Sequence, residues 1–458
     1  MADDLDELTS ALPDGRVITD PDIVDSYARD EAGVAAPPGR ARCLVNARSA
    51  DEVAVTMRWA SRHGVPVVPR GAGTGLAGGA AAVDGCVIIS LARMNMIVEL
   101  DPANELAVAE AGVINADLDR AAAAHGLMYP PDPSSYEIST IGGNLATNAG
   151  GLRCVKYGVT RDAVLGLEVV LADGRILRTG RRTIKGVAGY DLTSLFVGSE
   201  GTLGVITSAT LRLRPRPAQP PATLAASFPS FAAAARAVTD IVAARLQPSL
   251  LELLDEVTLR AIDDWKHLGF GNEVKALLIA QTDSDDGESR VEIMRAACLE
   301  QGALLADVSG NDAESQQLLD IRRMAHGATE RLGATLVEDV CVPRSKLPEM
   351  VERIERAAAR HDVLIATVAH AGDGNLHPCF VSDREQARAG VPDNVWAAAD
   401  EVFRAALELG GTLTGEHGVG VIKRRWLAEE LGEESMAVHR AIKAALDPAG
   451  LLNPGKVI

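Results

Sequence analysis

The sequence lacks several patterns that would place it in familiar classes. Its six cysteines form no CxxC pair, which excludes the zinc-ribbon, iron–sulfur and thioredoxin-like sites that need this spacing. No uninterrupted apolar run approaches the roughly 18 residues of a membrane helix, and the first residues lack the apolar stretch of a secretory signal. We therefore expect a cytoplasmic protein with reduced, mostly structural thiols. Any redox chemistry must use a bound organic cofactor or a partner protein.

Positive charge and aromatic residues are also scarce. The 45 basic residues face 63 acidic ones, and the net charge of -18 argues against nucleic acid or an anionic membrane as partner. Aromatic residues make up 3% of a chain that is 47% hydrophobic, so the cores must be mainly aliphatic. A chain of 458 residues exceeds what one core usually serves, which indicates two or more domains.

Helical and strand patterns alternate along the chain. Ser49 and Glu52 have capping-box spacing, and the helical periodicity that follows stops at Gly64, which predicts a helix of about 14 residues. A proline-rich stretch at 214–231 marks a domain boundary. Strands are predicted at 65–69, 85–90, 167–180 (a hairpin), 204–215, 273–283 and 362–370, and helices at 231–246 and 346–362. The sequence thus predicts a chain that mixes helix and strand on both sides of the boundary.

A glycine-dense loop follows the strand predicted at 65–69. Gly73, Gly75 and Gly78 satisfy the GxGxxG pattern of a Rossmann nicotinamide site, and Glu99 lies about 20 residues further on. The match is weak, because only a few residues separate the glycines from the Asp84-Gly85 turn, whereas that site needs a long helix there. A P-loop is excluded because no GK[ST] follows. Consecutive backbone N–H groups beside Arg70 instead suit a pyrophosphate, and a plain surface loop is the alternative.

Two histidines flank a tight turn in the stretch "AHAGDGNLHP". If strands flank the turn, His370 and His377 are cross-strand neighbours, with Cβ atoms ~4.5–5.5 Å apart when directly paired. Glu416, between glycines in "GEHG", could supply a third ligand. Two imidazoles and a carboxylate suit Zn²⁺, Mn²⁺ or Fe²⁺ with open positions. The alternative is a surface hairpin with incidental histidines.

Further motifs give the chain a family resemblance. With the first loop, "PPDPSSYEISTIGGNLATNAGG" and "GSEGTLGVIT" resemble, over about residues 37–216, the flavoproteins of the vanillyl-alcohol oxidase and p-cresol methylhydroxylase superfamily. "HAGDGNLHP", "GEHGVG" and "LDPAGLLNPGKV" resemble the FAD-dependent D-2-hydroxy-acid dehydrogenases, the group that includes glycolate oxidase flavoprotein subunits, D-lactate dehydrogenase and D-2-hydroxyglutarate dehydrogenase. The similarity extends over nearly the whole chain.

The resemblance implies a fold and a domain order. The expected fold is α+β, with a two-part FAD-binding domain of the p-cresol methylhydroxylase type and an α+β substrate (cap) domain. The implied ranges are an N-terminal segment at 1–36, the FAD-binding domain at 37–216, the substrate domain at 217–410 and a C-terminal segment at 411–458 that returns to the flavin and metal.

The resemblance also implies which residues form the sites. Contacts to FAD are expected from Arg70, Gly71, Gly73, Thr74, Gly75, Gly78, Pro131, Asp132, Ser134, Thr140, Gly142, Asn144, Gly150, Gly151, Tyr157, Glu200, Gly201, Gly204, Ile206 and Asn453. The expected metal ligands are His370, His377 and Glu416, with zinc preferred to manganese. His417 is the expected base and Arg322 the group that holds the substrate carboxylate, unless Arg322 is a solvated helix residue. The first loop lacks a histidine that could tether FAD, so we expect dissociable FAD; Cys154 is a structural thiol on this interpretation.

The implied reaction is the oxidation of a small D-2-hydroxy acid, such as D-lactate or glycolate, to the 2-oxo acid. A neutral histidine takes the hydroxyl proton while the hydride leaves for the flavin, and a metal fixes the substrate. Val337 and Cys379 stand where the hydroxyglutarate enzymes carry lysine and asparagine, which disfavours a second substrate carboxylate. The alternatives are a D-2-hydroxyglutarate dehydrogenase, an alditol, sugar-lactone or phenol oxidase, or a flavin-binding scaffold subunit. A dehydrogenase that passes electrons to an acceptor protein or partner subunit is favoured over an oxidase, and a homodimer is expected.

Overall fold

The computed structural model describes residues 2–458, with side chains from Asp4 onward. The helices are α1 (Ala2–Ala11), α2 (Pro21–Ser26), α3 (Ala50–His63), α4 (Asn115–Ala123), α5 (Ile141–Thr147), α6 (Cys154–Tyr157), α7 (Leu192–Phe196), α8 (Phe231–Ala243), α9 (Glu256–Lys266), α10 (Gly287–Glu300), α11 (Asp312–Thr329), α12 (Leu347–His361), α13 (Asp393–Glu408) and α14 (Leu427–Leu446). The strands are β1 (Val17–Ile18), β2 (Cys43–Asn46), β3 (Val67–Arg70), β4 (Val87–Ser90), β5 (Ile97–Asp101), β6 (Leu106–Glu110), β7 (Leu127–Met128), β8 (Val164–Val170), β9 (Ile176–Gly180), β10 (Val205–Arg212), β11 (Arg214–Pro215), β12 (Ala222–Phe228), β13 (Leu250–Asp255), β14 (Ala276–Thr282), β15 (Leu305–Val308), β16 (Ala334–Val337), β17 (Val340–Cys341), β18 (Leu364–His370) and β19 (Asn375–Ser382).

The chain divides into two compact units, each assembled from separated segments. Unit 1 comprises Met1–Gly150, Gly158–Arg216 and Glu416–Ile458. Unit 2 comprises Gly151–Tyr157 and Pro217–Gly415. The predicted α+β fold is confirmed, because both units combine helices with sheets. The finer domain ranges given above remain predictions.

Unit 1 contains two main sheets. In the first, of order β1-β2-β4-β3, strands β2, β4 and β3 run parallel and β1 is antiparallel. Helix α3 follows β2, and its bounds match the sequence prediction: the Ser49 side chain accepts the Glu52 N–H at 3.2 Å, and Gly64 ends the helix in the left-handed conformation. Its apolar face, including Met57 and Trp59, packs in the core beside this sheet. The second sheet is antiparallel, of order β5-β6-β10-β8-β9.

Unit 2 is built on one antiparallel sheet of order β15-β12-β14-β13-β18-β19-β16, with β17 also paired to β19. Asp255 connects this sheet to α9, because its carboxylate accepts the N–H of Thr258 at 2.8 Å and that of Thr367 at 2.7 Å. Burial raises the pKa of Asp255 to about 7. The strands and helices predicted after the proline-rich boundary are all present, although their ends differ by a few residues.

Candidate functional site

The glycine-dense loop of unit 1 leaves β3 and is shaped around Arg70. The buried Arg70 guanidinium donates to the Arg29 carbonyl and lies over the Tyr27 ring, 5.6 Å from its centroid. A Cβ at Gly73 would lie 2.0 Å from Arg70 Nη2, and the φ of Gly73 is +81°, so only glycine fits there. Strand β4 follows β3 with no helix between them in the described chain. This order removes the Rossmann alternative, which requires a helix directly after its glycines.

The second glycine stretch packs directly against the first. Thr140 caps α5 by accepting the Gly143 N–H at 3.2 Å, and a Cβ at Gly71 would meet the Thr140 hydroxyl at 2.3 Å. Gly142 is equally confined, since its Cβ would lie 2.6 Å from the Ala111 methyl group. Glycine at these positions therefore lets two segments of backbone approach closely.

A buried asparagine that the sequence analysis missed fixes this second stretch. The Asn115 side chain donates to the Pro131 carbonyl and to the Asn144 side-chain oxygen, both at 3.1 Å. Asn144 in turn donates to the Ser139 hydroxyl at 3.2 Å. Asn115 thus connects two of the predicted flavin-contact residues. Nothing in its local sequence distinguishes it from an ordinary residue in the first turn of α4.

The third stretch centres on Glu200, which has a φ of +50° and is 7% exposed. Its N–H donates to the Ala146 carbonyl at 2.8 Å, and its carboxylate accepts the N–H groups of Val419 and Gly420 at 2.7 and 2.9 Å. Burial raises the pKa of Glu200 to about 7 even though these two N–H groups lower it. Glu200 therefore ties the third stretch to the segment that follows His417.

The end of the chain closes the same cluster through Asn453. Its Nδ2 donates to the carbonyls of Gly79 and Glu200 at 2.8 and 2.7 Å, and its backbone N–H donates to the Val67 carbonyl at 2.8 Å. The nearby Lys456 ammonium donates to the Ala81 carbonyl at 2.8 Å, and burial lowers its pKa. Unit 1 thus brings together the three glycine stretches and the C-terminal asparagine.

The other predicted flavin residues of unit 1 lie along these stretches. Gly201 has a φ of +72°, and its Cβ would lie 2.8 Å from the Pro69 ring, whereas Gly204 faces Val169 on β8. Ile206 is buried on β10. Thr74, Gly75, Gly78, Pro131, Asp132 and Ser134 occupy loops, and of these Ser134 is exposed. Their contacts with FAD remain predictions.

Glu416 and His417 begin the C-terminal segment of unit 1, at a bend in the backbone. A Cβ at Gly150 would lie 2.3 Å from a carboxylate oxygen of Glu416, so this glycine leaves room for the Glu416 side chain. Gly418 has a φ of +89° and lies against the Glu200 carboxylate. The glycines around Glu416 and His417 therefore allow both the bend in the backbone and the close packing of side chains against it.

Two of the predicted flavin residues, Gly151 and Tyr157, belong to unit 2. The Tyr157 hydroxyl and the Lys156 ammonium both bind the Asp283 carboxylate, at the end of β14. The short helix α6 is thereby attached to the sheet of unit 2.

The two histidines lie on the predicted hairpin in unit 2, formed by β18 and β19. His370 and His377 are cross-strand neighbours, as predicted, but their direct pairing is wrong: His370 pairs with Asn375, and His377 pairs with Val368. The two histidines are diagonal neighbours on one face of the sheet, and their rings meet edge to face with centroids 4.9 Å apart. Their exposures are 3% and 6%, so the alternative of an incidental surface hairpin is also wrong.

Beside these rings, a buried carboxylate joins two predicted site residues. Glu252 on β13 lies opposite His370 in the sheet, and its Oε1 is 2.8 Å from His370 Nδ1. Its Oε2 accepts the Arg322 Nε–H at 2.6 Å. Arg322 is 6% exposed, which excludes a solvated helix arginine. Glu252 is not among the site residues expected from the sequence, although an acidic residue inside the apolar run "LLELLD" is a usable signal.

The last residues of unit 2 run along the same hairpin. The buried Asp339 accepts the Thr414 hydroxyl at 2.8 Å and the Gly415 N–H at 2.6 Å. A Cβ at Gly415 would lie 2.6 Å from the Asn375 side chain, two residues from His377 on β19. The chain is therefore held beside this strand at the residue that immediately precedes Glu416.

Family models of known function match most of this chain. Residues 41–180 match the FAD binding domain, and residues 218–457 match the C-terminal domain of FAD linked oxidases. The chain belongs to the FAD-linked oxidases. It is an FAD-linked oxidoreductase, and its first two glycine stretches lie within the residues that match the FAD binding domain.

Two relatives of this FAD-linked oxidase illustrate its similarities. It is 44% identical over 446 residues to glycolate oxidase subunit GlcD of Bacillus subtilis (strain 168), covering 97% of this chain and 92% of the relative. It is 36% identical over 456 residues to a D-lactate dehydrogenase of Anaerostipes hadrus, covering 96% and 94%.

Solved structures share the fold at lower identity. A p-cresol methylhydroxylase structure with substrate bound superposes with a TM-score of 0.80 at 17% identity, covering 100% of this chain and 96% of the other. The 4-ethylphenol oxidase of Gulosibacter chungangensis gives 0.80 at 20% identity, covering 100% and 96%. The predicted p-cresol methylhydroxylase type of fold is thus confirmed. Across residues 2–458, no helix is both long enough and apolar enough to cross a membrane.

Proposed function

We propose that this FAD-linked oxidase converts a small D-2-hydroxy acid, D-lactate or glycolate, to the corresponding 2-oxo acid. The observation that carries the proposal is the buried group of His370, His377, Glu252 and Arg322 in unit 2. Binding of a hydroxy acid requires a guanidinium for the substrate carboxylate and imidazoles for the substrate hydroxyl. The names of the two relatives agree with this substrate class.

We assign a role to each predicted site residue. Arg322 holds the substrate carboxylate, because its Nε is fixed by Glu252 and its two terminal nitrogens still form a bidentate donor. His417 takes the hydroxyl proton. The glycine stretches and Asn453 hold FAD without a covalent bond, and bound FAD would accept the hydride that leaves the substrate.

His370 and His377 fit a divalent metal, with zinc preferred to manganese. The two buried imidazoles lie close together, with ring centroids 4.9 Å apart, and two imidazoles with a carboxylate are a typical ligand set for Zn²⁺ or Mn²⁺. Glu416 is the third ligand in this proposal. A bound metal would polarise the substrate hydroxyl and lower its pKa.

The specificity proposal rests on two apolar positions. Val337 on β16 is directly paired with Cys379 on the antiparallel strand β19. Burial raises the pKa of the Cys379 thiol to about 12, so this side chain carries no charge at neutral pH. Neither residue can bind a second carboxylate, and we expect D-2-hydroxyglutarate to be a poorer substrate than D-lactate or glycolate. A kcat/KM at least tenfold higher for D-2-hydroxyglutarate, about 1.4 kcal/mol in transition-state binding, would overturn this expectation.

The electrons leave FAD for an acceptor protein or a partner subunit in our proposal, since one relative is named as a subunit. A dehydrogenase should turn over with an artificial dye much faster than with oxygen. Equal rates, with one hydrogen peroxide formed per substrate, would contradict this assignment. The homodimer and the cytoplasmic location remain predictions.

A substrate panel tests the reaction itself. The purified protein is mixed with D-lactate, L-lactate, glycolate, D-2-hydroxyglutarate, an alditol and a 4-alkylphenol, with an artificial dye as acceptor. Reduction of the dye with D-lactate or glycolate, and not with L-lactate, is the expected result. Turnover of the alditol or phenol alone would favour the other oxidases of the superfamily, and no turnover at all would favour a scaffold subunit.

A further inference from the structure

Glu252 occupies a position where a carboxylate is costly. It lies in the middle of β13, whose residues are all buried, and its side chain is 0% exposed. Burial of a carboxylate is unfavourable by several kcal/mol unless hydrogen bonds and an opposite charge compensate. A leucine would suit this strand better on packing grounds alone. The carboxylate must therefore be explained by its partners.

The two oxygens of Glu252 have different partners. One lies 2.8 Å from His370 Nδ1, and the other accepts from Arg322 Nε at 2.6 Å. Both partners are almost fully buried, with side chains 4% and 7% exposed. One carboxylate thus contacts a proposed metal ligand and the proposed substrate-binding arginine at the same time.

The contact with His370 determines which ring nitrogen carries the proton. An ionised carboxylate only accepts hydrogen bonds, so Nδ1 must be the protonated nitrogen of the neutral ring. The lone pair then resides on Nε2, the nitrogen that can bind a metal. Without Glu252, the ring could adopt the other tautomer or rotate.

The contact with Arg322 determines the orientation of the guanidinium. The hydrogen bond occupies Nε and leaves the two terminal nitrogens to form a fork for another acceptor. Because the guanidinium is planar, fixing Nε also fixes the plane of that fork. A lysine at this position could not be oriented in this way.

We propose that Glu252 is a positioning residue that orients His370 for the metal and Arg322 for the substrate carboxylate. The inference rests on the proposed function, because it assumes that this group binds a metal and a hydroxy acid. A single buried carboxylate then supports both metal binding and substrate binding, so one substitution should weaken both.

The principal test is Glu252→Gln in the full-length, FAD-loaded protein. The glutamine side chain has one oxygen, which can accept a hydrogen bond from His370 or from Arg322 but not from both. We expect Zn²⁺ affinity, measured by competition with a chelator, to fall about 10- to 100-fold. The KM for D-lactate or glycolate should rise at least tenfold. The flavin spectrum and FAD content should be unchanged, because the glycine stretches lie in unit 1.

Asp255→Asn is the matched control. Asp255 is also a buried carboxylate on β13, but its hydrogen bonds go to Thr258 and Thr367. This variant should be less stable yet keep its Zn²⁺ affinity within about threefold, a margin well below the 10-fold loss expected above. Equal losses of Zn²⁺ affinity in the two variants would mean that Glu252 has only a structural role, and would overturn the proposal.

A second variant keeps the test decisive if Glu252→Gln does not fold. Glu252→Leu combined with Arg322→Met removes the ion pair as a whole, which buried sites tolerate better than the loss of one partner, and it leaves no side-chain acceptor for His370 at this position. It should fold, lose tenfold or more in Zn²⁺ affinity and lose most substrate affinity. Zn²⁺ affinity within threefold of wild type in the variant that folds would overturn the inference and leave the proposed metal site intact. If the wild-type protein itself binds no divalent metal, the proposed metal site fails together with the inference.

Discussion

Replacement of Asn453 by alanine should destabilise unit 1 and weaken FAD binding together. The side chain is buried and donates to the carbonyls of Gly79 and Glu200, from two different glycine stretches. Its removal leaves both carbonyls without these donors, at about 1–3 kcal/mol each. Its φ of +43° adds about 1 kcal/mol, because alanine tolerates this conformation less well than asparagine. The expected loss is ~3–7 kcal/mol of unfolding free energy.

Urea unfolding followed by circular dichroism measures this loss, and flavin fluorescence after ultrafiltration measures bound FAD. We expect the dissociation constant for FAD to rise at least tenfold, because the Gly79 loop and the Glu200 stretch lose the residue that joins them. Asn453→Gly separates the backbone strain from the loss of hydrogen bonds. Glycine tolerates the positive φ, so this variant has no backbone strain, but it lacks the same hydrogen bonds as alanine. Asn104→Ala is the control, because its side chain makes a comparable hydrogen bond to Asp101 in an exposed turn. If Asn453→Ala stays within about 0.5 kcal/mol of wild type and retains FAD, this reasoning is refuted.

Three further predictions concern the chemistry and the pH dependence. His417→Ala should keep FAD and metal but lose on the order of 10²–10⁴ in kcat, the usual scale for a general base; a loss below tenfold in steady-state assays would reject that role. His377→Ala should lose the metal by elemental analysis, and if exhaustive chelation leaves wild-type activity intact the metal proposal is wrong. Burial raises the pKa of Asp255 to about 7 in the folded protein, whereas an aspartate ordinarily has a pKa of 3.8, so the folded state binds this proton more tightly and stability should fall as pH rises from about 4 to 7. The stability difference between wild type and Asp255→Asn, measured in urea, should therefore narrow by ~4 kcal/mol over that range, and a constant difference would contradict it.

Features that depend on neighbouring residues were predictable. The cap at Ser49 and the glycine stop at Gly64 define α3 through contacts within one or two turns, so the sequence carries all the information they need. The glycine loop is a similar case, because its missing helix could be read from the short distance between Gly78 and the turn at Gly85. Motif resemblance gave the fold type, the cofactor and the family, and the comparisons confirmed them.

The register of the histidine hairpin could not be read from spacing alone. The spacing of His370 and His377 is compatible with several turns, and a shift of two residues changes a direct pair into a diagonal one without changing the face. Only the packing of β18 between β13 and β19 selects the observed register.

The sequence by itself determined that this is an FAD-linked oxidase with its glycine stretches in a fixed order. The tertiary structure decided which distant residues form hydrogen bonds with these stretches and with the site residues. Asn453 donates to the Gly79 carbonyl although more than 370 positions separate the two residues. Glu252 on β13 contacts His370 on β18 and Arg322 on α11. Such contacts leave no local pattern, because a buried polar side chain is stabilised by whichever partner the fold places beside it. Local propensities define the elements, whereas long-range packing determines their polar partners.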